Sequence, residues 1–229
     1  MERNDLIIYN EIIPSLYSEL CSGNIVNGTV ELLNKSVTFY AESLQDGYIN
    51  IKDKFVTNRE YVTEELEWYF SQSLDISTIG QKAKIWLSCC DPHNKVKSNY
   101  GFLMFSAQNG YQFENVINEL KKNPNSRRAI AYYTNPMMHY IGGNDHVCTL
   151  AVGYRIINSK LHALVTMRSN DLRFGLIGAD LYWQIFMLHQ IAEVLRVKPS
   201  RVHWHAMSLH LYERHFNQLK DIVIGVNNA

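Results

Sequence analysis

Two strand-like runs joined by a pair of turn residues constrain the fold of this chain more than any other feature. The runs are "HVCTLAVGYRI" and "KLHALVTMRS", and Asn158-Ser159 links them. If these two residues form the turn of a β-hairpin, the pairing of the two strands places Cys148 opposite Ser169, with Arg168 one position away. A bulge would change the face that Arg168 uses, so the pattern predicts that the thiol and the guanidinium are close but gives no orientation.

The rest of the chain mixes helix-like and strand-like segments. Apolar periodicity predicts helices over residues 5–20, 59–74, 112–122 and 180–196. Strands are predicted within 24–45, 128–134, 147–169 and 201–212, with a short helix afterwards. Strict βαβ alternation is absent from this pattern, which favours an α/β fold of the α+β type with a mixed sheet. The length of 229 residues and the 46% apolar content suit one domain over residues 1–229.

Composition argues against several classes of function. The formal net charge is +0 and no basic run occurs, so neither direct nucleic-acid binding nor membrane binding is expected. No apolar stretch approaches the roughly 18 residues of a membrane span, and the first residues do not look like a signal peptide. The four cysteines lack the spacing of a zinc site, so we expect no metal and a cytoplasmic location.

Cationic side chains accompany the cysteine of the hairpin. A lone cysteine in an apolar strand is typically inert, but a guanidinium at Arg168 would lower the pKa of the Cys148 thiol and could bind a phosphate. Arg127 and Arg128 precede the strand "AIAYYT". They are either solvated surface residues or further ligands of the same phosphate.

Two carboxylates also qualify as functional residues. Glu65 belongs to an acidic run that normally marks a solvated helix face, but its helical neighbours are Trp68 and Tyr69. A carboxylate beside aromatic rings can have a raised pKa and act as a general acid or base. Asp180 opens the predicted helix 180–196, where it serves either as an N-cap or as a site residue.

Polar side chains alternate along the last predicted strand. His203 and His205 share one face, which allows a metal site, although no third ligand of suitable spacing stands out. Ser208, His210 and Tyr212 share the other face. Those three side chains suit either hydrogen bonds to a sugar or a polar network within the fold.

These residues follow the order of a known family pattern. The matching motifs are Glu65-Leu66-x-Trp68, Ile85-Trp86, Tyr100-Gly101, Ser126-Arg127-Arg128, Cys148, Arg168-Ser169-x-Asp171 with Gly175, and His210-x-Tyr212. With them, the chain resembles thymidylate synthases and, more closely, the phage deoxycytidylate hydroxymethylases. The strings "ELEWY", "SNYG" and "MRSND" look like the hydroxymethylase branch, and the match runs from about residue 60 to 216.

The resemblance implies a three-layer fold and a homodimer whose mixed sheets pack back to back. It implies that Arg127 and Arg128 reach the phosphate in the neighbouring subunit, whereas Arg168 and Ser169 bind the phosphate in their own subunit. It also implies roles for the remaining residues: His210 and Tyr212 on the deoxyribose, and Trp86 and Asp171 on the folate.

The chemistry implied by the resemblance is one-carbon transfer to a pyrimidine. Cys148 would attack C6, and C5 would take a one-carbon unit from the co-substrate 5,10-methylenetetrahydrofolate. Loss of the C5 proton, assisted by Tyr100, would give an exocyclic methylene, to which a hydroxymethylase adds water and a thymidylate synthase delivers hydride. Glu65, His210 and Asp180 are the residues expected to order water and move protons.

The choice of base depends on the segment after Gly175. Thymidylate synthases place an Asn at the position that corresponds, without a gap, to Ala179; an insertion of one residue would place Asp180 there instead. A carboxylate accepts from the N4 amine and a protonated N3 of cytosine and repels O4 of uracil. The prediction is therefore hydroxymethylation of dCMP. The alternatives are a reductive dCMP methyltransferase, a thymidylate synthase, a dUMP hydroxymethylase, or a binding module without turnover.

Overall fold

A mixed β-sheet forms the centre of the computed structural model, which describes residues 1–139 and 144–225. The strands are β1 (Thr29–Tyr40), β2 (Asn50–Ile51), β3 (Phe55–Val56), β4 (Ile130–Tyr132), β5 (Thr149–Ile157), β6 (Lys160–Met167), β7 (Asn170–Asp171) and β8 (Lys198–Tyr212). The main sheet has the order β1-β8-β6-β5-β4, with β7 also paired to β8. Strand β8 runs parallel to β6 and β7, and the other pairs are antiparallel. The predicted mixed α/β fold is thus confirmed.

Helices flank this sheet, and each of the predicted helices is present within a few residues of its expected bounds. The α-helices are α1 (Arg3–Ile7), α2 (Ile13–Cys21), α3 (Arg59–Ser71), α4 (Ile79–Lys82), α5 (Ile85–Cys89), α6 (Tyr100–Phe105), α7 (Gln112–Lys122), α8 (Pro136–His139), α9 (Leu181–Leu195) and α10 (Phe216–Ile224). Wider π-type turns cover Ile8–Ile12 and Leu172–Asp180. Helices α4, α5, α6 and α8 have four to six residues and were not predicted.

The predicted hairpin between β5 and β6 is present, but its register changes near Cys148. Asn158 and Ser159 have φ values of 50° and 61°, as a two-residue type I′ turn requires. The expected pairing holds as far as Ala151 opposite Thr166 and then shifts at a bulge between Thr149 and Ala151. Because of that extra residue, the backbone N–H of Arg168 donates to the carbonyl of Cys148 at 2.9 Å. The prediction that Cys148 lies opposite Ser169 is therefore wrong.

Helix α9 is the central element of the core. Its buried residues occur on nearly every side of the helix: Leu181, Trp183, Gln184, Ile185, Met187, Leu188, Ile191 and Ala192. It contacts β6, β8 and α7. Its first turn follows directly on Asp180, so the packing of this helix fixes where that carboxylate lies.

A glycine allows α6 to pack directly on α3. A Cβ atom on Gly101 would lie 1.8 Å from the carbonyl oxygen of Tyr69, which is far inside van der Waals contact. The ring of Tyr100 consequently stacks on the ring of Tyr69, with centroids 5.1 Å apart. This close approach places the Tyr100 hydroxyl beside the start of β5, where Cys148 lies.

Candidate active site

Cys148 and Arg168 lie side by side at the bulged end of the β5–β6 hairpin. The Nη2 atom of Arg168 is 3.9 Å from the Cys148 Sγ atom. The guanidinium is fixed there because Nε donates to the carbonyl of Val147 at 3.0 Å and Nη2 donates to the carbonyl of His146 at 2.5 Å. The predicted proximity of thiol and guanidinium is therefore present.

The pKa of the Cys148 thiol is raised and not lowered, which is the opposite of the prediction. Burial first, and then the nearby Asp180 carboxylate, raise the pKa of Cys148 to about 12, because Arg168 only partly opposes them. The prediction of a lowered pKa is wrong, because desolvation of a thiolate outweighs one partly solvated guanidinium. At neutral pH and without substrate, Cys148 is a thiol.

Asp180 turns its carboxylate into the same region. Its backbone is already helical, and among the described residues its side chain makes no N-cap hydrogen bond, so the capping interpretation is wrong. Instead Oδ2 accepts from Asn170 Nδ2 at 2.8 Å, and Tyr100 also hydrogen bonds the carboxylate. Burial, reinforced by the charge of Glu65, raises the pKa of Asp180 to about 7. The hydroxyl of Tyr100 accepts in turn from Thr149 Oγ1 at 2.9 Å, which connects Asp180 to the residue after the thiol.

Glu65 is buried on α3, and the solvated interpretation of its acidic run is wrong for this residue. Glu65 is 5% exposed, and its carboxylate accepts hydrogen bonds from the hydroxyls of Tyr69 and Tyr61. Burial raises the pKa of Glu65, and these two hydrogen bonds only partly compensate. Trp86 Nε1 donates to Tyr61 Oη at 3.1 Å, so the indole, the phenol and the carboxylate form one chain of hydrogen bonds.

Tyr61 and Asn170 were missed by the sequence reasoning. Tyr61 lies four residues before Glu65 on α3, and Tyr69 lies four residues after it. Because residues four apart on a helix are neighbours, this spacing could have predicted the contact between Tyr61 and Glu65. Asn170 occupies the variable position of the Arg-Ser-x-Asp motif, and no spacing rule connects it to Asp180. That contact depends on the wide turns over Leu172–Asp180.

The proposed sugar-binding residues lie on β8 next to β7. His210 pairs with Asp171, and the ring of His210 packs edge-on against Tyr212, with centroids 5.3 Å apart. Burial lowers the pKa of His210 despite the opposing charges of Asp171 and Glu31, which favours a neutral imidazole. Ser208 instead donates to Glu31 at 2.5 Å. Asp171 accepts from the backbone N–H groups of residues 173 and 174, so it also has a structural role as an N-cap.

Arg127 and Arg128 do not join Arg168 within one chain. They are exposed and precede β4, where the carbonyl of Ala129 pairs with the N–H of Tyr154. That pairing lies roughly 20 Å along β5 from Cys148, at about 3.3 Å per residue, which exceeds the reach of an arginine side chain. The idea of three guanidiniums on one phosphate therefore fails for a single subunit.

His203 and His205 have hydrogen-bond partners that explain them without a metal. His203 contacts Thr38 and His162, each at 3.1 Å, and His205 contacts Ser36 at 3.1 Å. Across residues 1–139 and 144–225, no group of three or more His, Cys, Asp or Glu side chains could hold a metal ion. In the same part of the chain, no helix is long and apolar enough to cross a bilayer.

The site thus combines a nucleophile, the guanidinium of Arg168 and two carboxyl groups with raised pKa values. Such a set fits an enzyme that forms a covalent adduct on a nucleotide and transfers protons near neutral pH. A protein-family model described as thymidylate synthase matches residues 27–224. The chain belongs to the thymidylate synthase family.

Individual relatives agree with this assignment. The chain is similar to a deoxycytidylate 5-hydroxymethyltransferase of enterobacteria phage T4, with 39% identity over 171 residues, 69% of each chain. It is 28% identical over 162 residues to a thymidylate synthase of Fusobacterium nucleatum, covering 68% of this chain and 57% of the relative. A thymidylate synthase of Francisella tularensis is 25% identical over 175 residues, covering 70% and 64%. The predicted resemblance to both branches is confirmed.

Proposed function

We propose that this protein is a deoxycytidylate 5-hydroxymethyltransferase formed by one catalytic domain over residues 1–229. The observation that carries the proposal is the position of Asp180, whose carboxylate is hydrogen bonded by Asn170 and Tyr100, whereas the buried Ala179 has no hydrogen-bonding side chain. An acceptor at this place suits the amine of cytosine and repels O4 of uracil. The similarity to phage enzymes named for this activity supports the same substrate.

The wide turns before α9 support the register that this assignment needs. Residues Leu172–Asp180 form π-type turns, which are interrupted at Gly178 by a non-helical ψ of −116°. A π-type turn holds more residues than an α-helical turn, so it accommodates an inserted residue without moving the following helix. This geometry fits the one-residue insertion that aligns Asp180 with the base-reading position.

The reaction begins at the thiol of Cys148. Its thiolate adds to C6 of dCMP, which makes C5 nucleophilic towards a one-carbon unit. Loss of the C5 proton then breaks the bond between the one-carbon unit and the nitrogen of its carrier, which leaves as tetrahydrofolate, and an exocyclic methylene remains on C5. Water adds to this methylene as the bond between C6 and Cys148 breaks. Asp180, with a pKa of about 7, is matched to proton transfer at neutral pH, and the buried Glu65 can hold the water.

The one-carbon unit would come from 5,10-methylenetetrahydrofolate. Trp86 and Asp171 would contact this co-substrate. The half-buried ring of Trp86 packs at an angle of 59° against Trp68, with centroids 4.8 Å apart, and is connected to Glu65 through Tyr61. A planar molecule on this ring would therefore lie beside the proton-handling residues. Arg168 and Ser169 would bind the phosphate of dCMP, and His210 and Tyr212 would bind its deoxyribose.

A homodimer would complete the phosphate site. The sheet face opposite the core carries partly exposed residues on three neighbouring strands, among them Thr38, His162, Leu164 and His203. Back-to-back packing on this face would let Arg127 and Arg128 reach the neighbouring subunit, which their distance from their own Cys148 favours. We place the protein in the cytoplasm, where its nucleotide and folate substrates occur.

Release of tritium from dCMP labelled at C5 tests the role of the thiol. The wild-type protein should release tritium in the presence of methylenetetrahydrofolate, and Cys148→Ala should lower release to background, because C5 is activated only after attack on C6. Cys21→Ala, at an exposed cysteine, is the matched control and should keep the wild-type rate. Unchanged release by Cys148→Ala would remove this residue from the mechanism. Binding of dCMP without turnover by the wild type would instead favour a binding module.

A further inference from the structure

Asn170 is a buried side chain in the site to which neither the motif nor the proposed chemistry gives a role. It is 1% exposed, and its Nδ2 atom donates to Asp180 Oδ2 at 2.8 Å. Its Oδ1 atom has no hydrogen-bond partner among the described residues. A buried amide that forgoes one hydrogen bond and directs its N–H group at a carboxyl oxygen points to a function at that oxygen.

The chain leaves room for this contact at Gly175. A Cβ atom there would lie 2.6 Å from Asn170 Nδ2 and 2.8 Å from Asp180 Oδ2. Any larger residue would push the two side chains apart. The φ of Gly175 is outside the left-handed region, so the close approach, and not backbone conformation, explains the glycine.

The location of the proton on Asp180 decides which base a protonated carboxyl group can read. With the hydrogen on the oxygen facing N3, the group donates to N3 and accepts from the N4 amine of cytosine. With the hydrogen on the other oxygen, it accepts from N3–H and donates to O4 of uracil. The pKa of Asp180 is raised to about 7 by burial, so both charge states are populated near neutral pH.

We propose that Asn170 is a specificity-determining positioning residue that keeps the proton of Asp180 off Oδ2, with Oδ2 facing the exocyclic group of the base. An amide N–H can only donate, and the carbonyl oxygen of a protonated carboxyl group is a better acceptor than its hydroxyl oxygen, so the contact favours the proton on the other oxygen. The hydroxyl of Tyr100 cannot substitute, because it can turn from donor to acceptor. A flipped Asn170 amide would place Oδ1 against the ionised carboxylate, acceptor against acceptor. The inference rests on the proposed function, since it assumes that Asp180 reads the base.

Other ionisable groups near Asp180 act on its charge, but they do not choose between its two oxygens. They come from every element packed around it: Tyr61, Glu65 and Tyr69 on α3, Tyr100 on α6, Cys148 before β5 and Asp171 on β7. The neighbouring carboxylates raise the affinity of Asp180 for a proton, which increases the need for a group that fixes where the proton lies.

Binding of dCMP and dUMP without folate at two pH values tests this role. The wild type should prefer dCMP at about pH 6 and at about pH 8.5, below and above the pKa of Asp180. Asn170→Ala should reduce the ratio of the two dissociation constants by about tenfold at the lower pH, because either proton position is then available. At the higher pH the ionised carboxylate still repels O4, so the ratio should fall by less than about threefold.

Gly175→Ala provides a second variant that displaces the same contact and should show the same pH-dependent loss. Asn115→Ala, at an exposed asparagine on α7, is the matched control and should bind as the wild type does. An unchanged ratio at the lower pH, or an equal loss at both pH values, would overturn the role of Asn170. A wild type that prefers dCMP but forms no hydroxymethylated product would overturn the proposed reaction alone. A preference of the wild type for dUMP would overturn both.

Discussion

At the scale of single residues, the chemistry depends on how the environment of Cys148 sets its protonation. The thiol is partly exposed, yet the protein packed around it and the Asp180 carboxylate raise its pKa to about 12. Arg168, at 3.9 Å, favours the thiolate but only partly opposes these effects. The free protein therefore holds the nucleophile in an unreactive form. Attack on C6 requires that substrate binding change the charge or solvation around the thiol.

The rate of alkylation of Cys148 by iodoacetamide measures this protonation. Because the pKa is about 12, the rate should rise about tenfold per pH unit between about pH 7 and 9 without levelling off. Asp180→Asn removes a charge that raises this pKa, so it should speed alkylation at about pH 8.5, where Asp180 is ionised. At about pH 6 Asp180 is mostly protonated, and the variant should match the wild type.

Peptide mapping by mass spectrometry separates the reaction of Cys148 from that of the exposed Cys21, which serves as the internal control. A rate for Cys148 that levels off below about pH 9, with no effect of Asp180→Asn, would contradict the electrostatic account of the thiol.

At the scale of elements, the parts of the site that could be predicted are those with a fixed period. The hairpin turn at Asn158-Ser159 brought Arg168 to Cys148, and the spacing of four residues on α3 placed Tyr69 next to Glu65. The bulge near Thr149 has no comparable signal, because it depends on how β5 packs in three dimensions. For the same reason, the short helices and the contact between Asn170 and Asp180 could not be predicted.

The contact between α3 and α6 gives a prediction at this scale. Gly101→Ala should destabilise the protein by about 3 kcal/mol or more, because its Cβ atom would lie 1.8 Å from the Tyr69 carbonyl oxygen and the helices must move apart. Gly153→Ala is the matched control, since the nearest atom to its Cβ is 3.8 Å away. Urea denaturation followed by circular dichroism measures both variants. Equal stability of Gly101→Ala and the wild type would show that this close packing is absent in solution.

At the scale of the whole molecule, the positions of the arginines connect catalysis to assembly. Arg127 and Arg128 lie at the far end of β5 from Cys148, so in the proposed homodimer a phosphate held by Arg168 would meet them across the subunit boundary. The residue types alone allowed all three arginines to be ligands of one phosphate, whereas the family resemblance implied that they act in different subunits. The pairing of β4 with β5 separates Arg127 and Arg128 from Arg168 within one chain.

Mixing two inactive variants tests this arrangement. One variant is Cys148→Ala, and the other combines Arg127→Ala with Arg128→Ala. A heterodimer contains one complete site, made of the thiol from one subunit and the arginines from the other, so a statistical mixture should regain about one quarter of wild-type activity. Native mass spectrometry provides the control that heterodimers have formed. If heterodimers form without recovery of activity, the arginines do not act across the interface.

In the proposed reaction, water, and not hydride, completes the transfer on a cytosine nucleotide. The most direct measurement is the mass of the product after incubation of the purified protein with dCMP and 5,10-methylenetetrahydrofolate, together with the identity of the folate product. We expect a nucleotide heavier than dCMP by CH₂O, together with tetrahydrofolate. A methylated nucleotide with dihydrofolate, or turnover of dUMP in preference to dCMP, would contradict it.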